Sequence, residues 1–224
     1  EARCRRNMID AAINIRGLKR MAVDNAPANT VPVPEKAETT GKRIAIIGGG
    51  PSGLAAAYYL ELMGHHAVVF EAKSKLGGML RYGIPSYRFP RERLDQDIEA
   101  ILSTGVEVHL NTKIGSGEGE VPFNKLREEY DAVYIAIGAH EDKKVGIEGE
   151  DSKGVISAVE MLGSIGEEVM PDFKDKTVVV IGGGNVAMDC TRSAIRLGAK
   201  KVTIAYRRRK SDMTALPEEI EGAV

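Results

Sequence analysis

Several residue types are scarce in this 224-residue chain. Tryptophan is absent and aromatic residues make up 5% of the sequence, which argues against a surface that stacks nucleic-acid bases. The net charge of −1 gives no bulk attraction to DNA, RNA or an anionic membrane. The longest apolar runs, such as 44–47 and 178–181, have the length of a strand, far below the roughly 20 residues of a membrane span.

Cysteine is also rare in this sequence. Cys4 and Cys190 are the two cysteines, too far apart in sequence to indicate a disulfide framework, and no secretory signal is visible. We therefore expect a protein of the reducing cytoplasm. Because an initiator methionine is missing and residues 218–224 stop inside a predicted helix, we expect a fragment of a longer chain.

Glycine, in contrast, is frequent, and its first cluster has a recognisable spacing. Residues 44–53 read IAIIGGGPSG, an apolar strand followed by G-x-G-x-x-G. Gly48 permits the tight turn, Gly50 lets the backbone approach a pyrophosphate, and Gly53 lets the following helix pack closely on the strand. The next predicted strand ends at Glu71, whose carboxylate suits free ribose hydroxyls. This pattern predicts a dinucleotide site.

A second cluster has the same spacing and a different strand end. Residues 178–187 read VVVIGGGNVA, with alanine as a permitted third member of the pattern. Asn185 and Val186 supply backbone N–H groups to the turn. Arg207 and Arg208 follow the next predicted strand, where a guanidinium suits a ribose 2′-phosphate, although a solvated basic loop is the alternative. We expect NADP(H) here, so two unlike nucleotides indicate electron transfer between them.

The order of apolar runs and turns predicts an α/β fold with two Rossmann-like dinucleotide-binding domains, the second inserted in the first. Residues 74–90 are expected to form a loop, and residues 138–175 to cross into the second domain. The predicted divisions are a helical segment at 1–25, an extended linker at 26–42, the first domain at 43–155 and an incomplete second domain at 156–224.

Three further segments carry a family resemblance. They are LGGMLRYGIPSYRFP at 76–90, YDAVYIAIGA at 130–139 and MTALPEEIE at 213–221. With the two glycine turns, they resemble the glutamate synthase small-subunit family, which includes flavin domains of dihydropyrimidine dehydrogenase and NADPH-side subunits of ferredoxin:NADP oxidoreductases. The resemblance covers nearly the whole chain. It implies FAD in the first domain and NADP(H) in the second.

The resemblance also implies roles for individual residues. Those expected around FAD are Gly48, Gly50, Pro51, Ser52, Gly53, Glu71, Gly78, Leu80, Arg81, Gly83, Ile84, Pro85, Ile114 and Gly138. Those expected around NADP(H) are Gly182, Gly184, Asn185, Val186, Arg207 and Arg208. Thr214 stands where some members have another basic residue, so either more of the phosphate contact falls on Arg207 and Arg208 or the affinity is lower.

Cys4 resembles the last cysteine of the family's N-terminal iron–sulfur domain, of which residues 1–25 would be the helical remnant. A [4Fe–4S] cluster normally needs four cysteine ligands, so this chain alone cannot hold one. The cluster is therefore expected only if a preceding segment supplies the other ligands, and a free thiol is the alternative. Cys190 is expected to pack in the core.

Two functions remain open from sequence. The first is hydride exchange between NADP(H) and FAD, with electrons passing to or from iron–sulfur or flavin partners in a glutamate synthase or a ferredoxin-linked, hydrogenase-type assembly. No Ser-His-Asp set or redox cysteine pair is visible, and none is needed where cofactors carry the chemistry. The alternative is an FAD-binding docking module within a redox complex, with an unused pyridine nucleotide site.

Overall fold

The computed structural model of the protein describes residues 3–26 and 32–223, which fall into two compact units, Glu1–Pro34 and Glu35–Val224. The first unit contains a short 3₁₀ helix, Arg5–Met8, and helix α1, Ile15–Asn25. The side chain of Asn14 caps α1 by accepting a hydrogen bond from the Gly17 N–H at 2.9 Å. Both helices lie within the segment expected to be helical, 1–25, while residues 27–31 of the expected linker lie outside the described residues.

The second unit begins with a four-stranded parallel sheet. Its strands are β1 (Arg43–Ile47), β2 (His66–Phe70), β3 (Glu107–His109) and β4 (Ala132–Ile135). Their order is β3-β2-β1-β4, as in one half of a doubly wound dinucleotide fold. The apolar runs of β1 and β2 are buried because both faces of this sheet are covered.

Helices cover the two faces of the first sheet. Helix α2 (Pro51–Leu62) and helix α4 (Arg91–Leu102) bury Leu54 and Leu94 in one apolar cluster with the sheet. Helix α5 (Phe123–Glu129) buries Leu126 in the cluster on the other side. A short helix α3 (Met79–Tyr82) precedes α4. The first domain therefore places the glycine turn at the carboxyl end of β1, where open α/β sheets bind ligands.

A second parallel sheet follows in the same unit. It consists of β5 (Thr177–Ile181) and β6 (Lys201–Ala205), and its helices are α6 (Ala158–Gly166), α7 (Asn185–Arg196) and α8 (Pro217–Glu221). Helices α6 and α7 bury Met161, Cys190 and Ala194 against it. The buried position of Cys190 agrees with the expected core role.

The α/β class and the Rossmann-like character are thus confirmed, while insertion of the second dinucleotide-binding domain into the first stays a prediction. Sequence reasoning missed two helices. Helix α3 lies within the expected loop at 74–90, and α6 lies within the expected crossing at 138–175. Both lie where the chain leaves the regular strand–turn–helix pattern.

The later part of the expected linker is attached to the first domain. The Ala37 N–H donates to Leu62 O at 2.8 Å, and the Thr40 N–H donates to Gly64 O at 2.9 Å. Lys36 forms an ion pair with Glu61, which is 1% exposed. These contacts fix residues 36–40 along the end of α2. Among the described helices, none has the length and apolarity to cross a membrane.

Candidate functional site

A cleft of about 950 Å³ opens at the carboxyl ends of β1, β2 and β4. This volume lies in the range of small-molecule and cofactor sites. The expected FAD residues that border it are Gly48, Gly50, Pro51, Ser52, Glu71, Gly78, Ile114 and Gly138. The glycine spacing and the family resemblance together predicted these eight positions in five separate segments, and parallel pairing of the strands brings them to one edge.

The glycines of the first turn are required by close backbone approaches. Gly48 has a φ of +107°, and a Cβ there would lie 2.4 Å from Ala136 O on the neighbouring strand segment. A Cβ on Gly53 would lie 1.9 Å from Gly48 O. Gly53 is buried beneath the turn and does not itself border the cleft. Its role is the close helix–strand packing expected from the motif.

Helix α2 presents its N-terminus to this cleft. Gly50 is the N-cap residue and makes no side-chain cap, and Pro51 occupies the first turn, where its missing N–H costs no intrahelical bond. The free N–H groups of the first turn and the helix dipole favour an anion. The Ser52 hydroxyl lies 3.0 Å from the Tyr134 hydroxyl, which ties the turn to β4. The arrangement can bind a pyrophosphate.

Glu71 is held with its carboxylate at the cleft. It is 7% exposed, and its two oxygens accept hydrogen bonds from the Gly49 N–H at 2.7 Å and the Lys73 N–H at 2.8 Å. Two backbone donors satisfy the charge of a nearly buried carboxylate. The group is therefore ordered before any ligand binds, and its contact with a ribose stays a prediction.

Of the segment expected to line the flavin, only the beginning borders the cleft. Gly78 reaches the cleft and packs on the glycine turn so closely that a Cβ there would lie 2.7 Å from Gly50 Cα. The neighbouring Gly77 N–H donates to Gly49 O at 2.9 Å. The expected residues that do not border this cleft are Leu80, Arg81, Gly83, Ile84 and Pro85. Met79, which sequence reasoning missed, borders it beside Gly78.

Arg81 has an internal position. It is 6% exposed, its Nε donates to Leu76 O at 2.6 Å, and its guanidinium pairs with Asp95 on α4. Its charge is neutralised on the side away from the cleft because Asp95 on α4 provides a partner there. Any contact of Arg81 with a flavin thus requires a departure from this arrangement, and its expected role stays a prediction.

Sequence reasoning assigned no role to the remaining cleft residues. Most of them lie at, or a few residues after, the carboxyl ends of the four parallel strands, and that position is the sequence signal that could have located them. They are Ile47, Phe70, Ala72, Lys73, Thr112, Lys113, Ile135, Ala136, Ile137, Ala139, His140 and Glu141.

The second glycine turn connects β5 to α7. Gly182 has a φ of +144°, and Gly184 is the N-cap residue of α7, again without a side-chain cap. A Cβ on Gly183 would lie 2.7 Å from the Tyr206 ring, so this turn packs on the residue that follows β6. Val186, in the first turn of α7, is half exposed at 50%.

The segment at 213–216 closes one side of this turn. The N–H groups of Thr214 and Ala215 donate to Gly183 O at 3.0 and 3.1 Å. The Asn185 side chain accepts a hydrogen bond from the Leu216 N–H at 3.0 Å, a contact that its expected backbone role did not anticipate. The expected NADP(H) residues Gly182, Gly184, Asn185 and Val186 therefore lie together at one strand–helix turn.

The three consecutive arginines after β6 are not equivalent. Arg209 pairs with Asp212, with Nε–Oδ2 at 3.2 Å. Arg207 and Arg208 are exposed, and within the described part of the chain neither has a hydrogen bond or ion pair. Since β5 and β6 are adjacent and parallel, both arginines follow the strand end beside the glycine turn. Two unpaired guanidinium groups are thus available to a phosphate.

A charged junction joins the first domain to α7 and α8. Arg88 donates to Asp189 at 2.7 Å and pairs with Glu219 at 3.2 Å, and Arg192 also pairs with Glu219. The Tyr87 ring lies under Arg196, at 3.9 Å from centroid to Cζ. Burial raises the pKa of Asp189 against the opposing effect of Arg88.

Cys4 lies in the first unit. The backbone N–H groups of Ile13 and Arg6 lower the pKa of its thiol. Within residues 3–26 and 32–223, no group of three metal-ligating side chains could hold a metal ion. The iron–sulfur role of Cys4 therefore stays a prediction.

Comparisons with known proteins agree with this geometry. Residues 36–224 match the family described as pyridine nucleotide-disulphide oxidoreductase. The chain is 42% identical over 247 residues to the NADP(+)-dependent formate dehydrogenase subunit beta of Moorella thermoacetica, covering all of this chain and 34% of that protein. It is 36% identical over 234 residues to the glutamate synthase [NADPH] small chain of Escherichia coli, covering all of this chain and 49% of that one.

A solved structure supports the same assignment. FprA of Mycobacterium tuberculosis in complex with NADPH superposes with a TM-score of 0.66 at 27% identity, over 80% of this chain and 46% of that one. The chain thus spans about a third to a half of the length of these curated relatives. The resemblance to the glutamate synthase small subunit is confirmed, and the chain belongs to the pyridine nucleotide-disulphide oxidoreductase family.

Proposed function

We propose that this chain is part of a flavin-dependent oxidoreductase that exchanges hydride between NADP(H) and FAD. In this proposal, electrons then pass to or from iron–sulfur or flavin centres of partner subunits in a larger, cytoplasmic complex. The main support for this proposal is that the two glycine turns lie beside residues of opposite charge. Glu71 stands at the first glycine turn, and the unpaired Arg207 and Arg208 stand at the second.

The residues of the first cleft fit FAD. Gly48, Gly50 and Gly78 leave out side chains where the backbone segments meet, and the α2 N-terminus offers unpaired N–H groups to a pyrophosphate. Glu71 would accept hydrogen bonds from ribose hydroxyls, and Ile114 would contact the adenine ring. When bound, FAD supplies hydride chemistry toward a nicotinamide and one-electron chemistry toward iron–sulfur centres.

The residues of the second turn fit NADP(H). The α7 N-terminus would receive the pyrophosphate, and Arg207 and Arg208 would bind the 2′-phosphate through directional guanidinium contacts. Arg209 contributes less because Asp212 already neutralises it. The names of the formate dehydrogenase and glutamate synthase relatives, which state NADP(+) and NADPH, support this choice of nucleotide.

The proposed destination of the electrons is inferred from the cysteine content of the chain and from the relatives. Cys190 is the one cysteine of the family-matched segment 36–224. It is 4% exposed, and burial raises its pKa to about 12, so it is a poor redox thiol. This supports transfer to centres outside the segment. Two relatives are named as subunits, of a formate dehydrogenase and an NADPH-Fe(3+) oxidoreductase, which supports a complex with partner subunits.

The proposal is tested with the full-length protein under anaerobic conditions. NADPH should bleach the visible flavin absorbance. Replacing both Arg207 and Arg208 by alanine should raise the KM for NADPH about 10- to 100-fold, the effect of losing one or two charge-assisted hydrogen bonds. The KM for NADH should change by less than about threefold, since NADH has no phosphate for these groups to bind.

The matched control is Arg209→Ala, which removes an arginine already paired with Asp212. It should leave the preference for NADPH over NADH unchanged. Equal losses for NADPH and NADH in the double variant would contradict the 2′-phosphate assignment. If neither nucleotide bleaches the flavin, the oxidoreductase proposal fails and the docking module is favoured.

A further inference from the structure

Arg91 makes an unusual set of contacts behind the segment that borders the FAD cleft. It is the first residue of α4, and its guanidinium donates to Leu80 O at 2.9 Å, to Arg81 O at 2.6 Å and to Ile84 O at 2.7 Å. One side chain thus binds three backbone carbonyls within five residues of chain. Neither the glycine motifs nor the comparisons assign a role to Arg91.

These carbonyls need a donor from elsewhere. Helix α3 has four residues, and the end of a helix leaves its last carbonyls without intrahelical N–H partners. The chain then turns at Gly83 and reaches Pro85, which has no N–H to donate. A guanidinium carries five N–H groups in a fixed plane, so it can serve several carbonyls at once, whereas a lysine ammonium is a single point.

The other end of the segment is anchored independently. Arg81 donates to Leu76 O and pairs with Asp95, so α4 holds the segment through both its first residue and its second turn. The front of the segment is then fixed, with Gly78 against Gly50 and Met79 at the cleft. Arg91 itself does not border the cleft. Any influence on a ligand therefore passes through the backbone.

We propose that Arg91 is a positioning residue for FAD, which holds residues 80–84 from behind so that Gly78 and Met79 form the cleft wall in the binding geometry. This inference rests on the proposed FAD site. It assigns the fit of that site to a side chain outside it. Loss of the Arg91 side chain would leave these three carbonyls without donors. Residues 80–84 would then be free to move toward the cleft.

The test uses the full-length protein with the variants Arg91→Ala, Arg91→Lys and Arg93→Ala. Arg93 is the matched control because it lies on the same helix, away from the cleft wall, and donates to Gln96 at 3.2 Å. Three quantities are measured: amide hydrogen exchange of peptides covering 79–85 without flavin, the Kd for FAD, and the absorption spectrum of bound flavin. The Kd for NADP⁺ is measured alongside.

Arg91→Ala should speed exchange in the 79–85 peptides, raise the Kd for FAD at least about tenfold and shift the flavin spectrum. Arg91→Lys should recover part of the affinity, because an ammonium can serve fewer carbonyls. Arg93→Ala should match the unsubstituted protein in all three. Measured without flavin, the Kd for NADP⁺ should remain within about twofold in every variant, since the second turn is built from other segments.

Several results would overturn the inference. Faster exchange in Arg91→Ala with unchanged FAD affinity and spectrum would show that the contacts serve the loop and not the ligand. Equal losses in Arg93→Ala, or an equal loss of NADP⁺ binding, would show a general loss of stability. If the unsubstituted protein binds no FAD, the proposed function fails, and the positioning role fails with it whatever the exchange data show.

Discussion

Gly166 offers the sharpest test of how the two domains pack. It is the last residue of α6, and it lies against α3 so closely that an alanine Cβ would be 2.8 Å from Tyr82 Cα and 2.9 Å from Arg81 O. Both neighbouring atoms belong to backbone. The Tyr82 ring cannot turn away, because its hydroxyl donates to Lys75 O and accepts the Lys75 N–H. Gly166→Ala must therefore push α6 and α3 apart.

Two opposing effects set the expected change in the free energy of unfolding. Overpacking of a filled interior costs about 1–3 kcal/mol. Alanine in place of glycine in a helix stabilises the folded state by about 1 kcal/mol. Gly166→Ala should thus destabilise the protein by up to about 2 kcal/mol. Gly163 lies on the same helix, and a Cβ added there would meet nothing within 4 Å, so Gly163→Ala should stabilise by about 1 kcal/mol.

Denaturant unfolding of the two variants measures the difference directly. Their free energies of unfolding should differ by about 1–3 kcal/mol, which is the overpacking cost alone. Because Tyr82 and Arg81 belong to the segment behind the FAD cleft, Gly166→Ala should also weaken FAD binding, and Gly163→Ala should not. Equal stabilisation by both alanines would refute the close contact of α6 with α3.

Two further predictions concern titratable groups. Burial raises the pKa of Cys190 to about 12, so at pH 8 its alkylation by iodoacetamide should be about 10³-fold slower in the folded protein than in the unfolded chain. Mass spectrometry of the peptide that contains Cys190 measures this rate. Labelling at the unfolded rate would contradict the burial of Cys190. A hydrogen bond from His66, with a second from His109, lowers the pKa of Glu107 below its usual value near 4.5. The ionised carboxylate therefore stabilises the folded protein above pH 4.5, and this stabilisation is lost as the pH falls through the lowered pKa. Because Glu107 is 40% exposed, Glu107→Gln should cost about 0.5 kcal/mol or less at pH 7 and less still at pH 3 in denaturant unfolding, and an equal cost at both pH values would contradict the assignment.

Much of the fold could be predicted because the signals are local. The apolar runs of β1 and β5, the glycine turns and the following helices lie in single stretches of chain, and the turn geometry requires glycine at Gly48. The glycine spacing and the strand end located Gly48, Gly50 and Glu71 at the first cleft, and the family resemblance added Pro51, Ser52, Gly78, Ile114 and Gly138.

What could not be predicted depends on contacts between distant segments. Arg81 resembles a ligand contact in sequence, but its direction is set by Asp95, fourteen residues later on another helix. Helix α3 is too short to carry a periodic pattern and depends on Arg91 to satisfy its carbonyls. Arg207 and Arg209 look alike in the sequence, and only the pairing with Asp212 distinguishes them. Each case is decided by which partner folding brings within reach.

The charged junction explains why the two nucleotide turns should influence each other. Arg88 follows the segment that borders the FAD cleft, and its partner Asp189 lies one turn after Asn185 on α7. A ligand that displaces the start of α7 must therefore move Asp189 against Arg88, or break a pair in which one Asp189 oxygen is already buried without a hydrogen-bond partner in the described structure. Breaking a buried ion pair leaves a charge without its partner and is costly, so a displacement of α7 should be transmitted to Arg88. Because coupling between two binding events is reciprocal, any effect of NADP(H) on FAD affinity through this junction equals the effect of FAD on NADP(H) affinity.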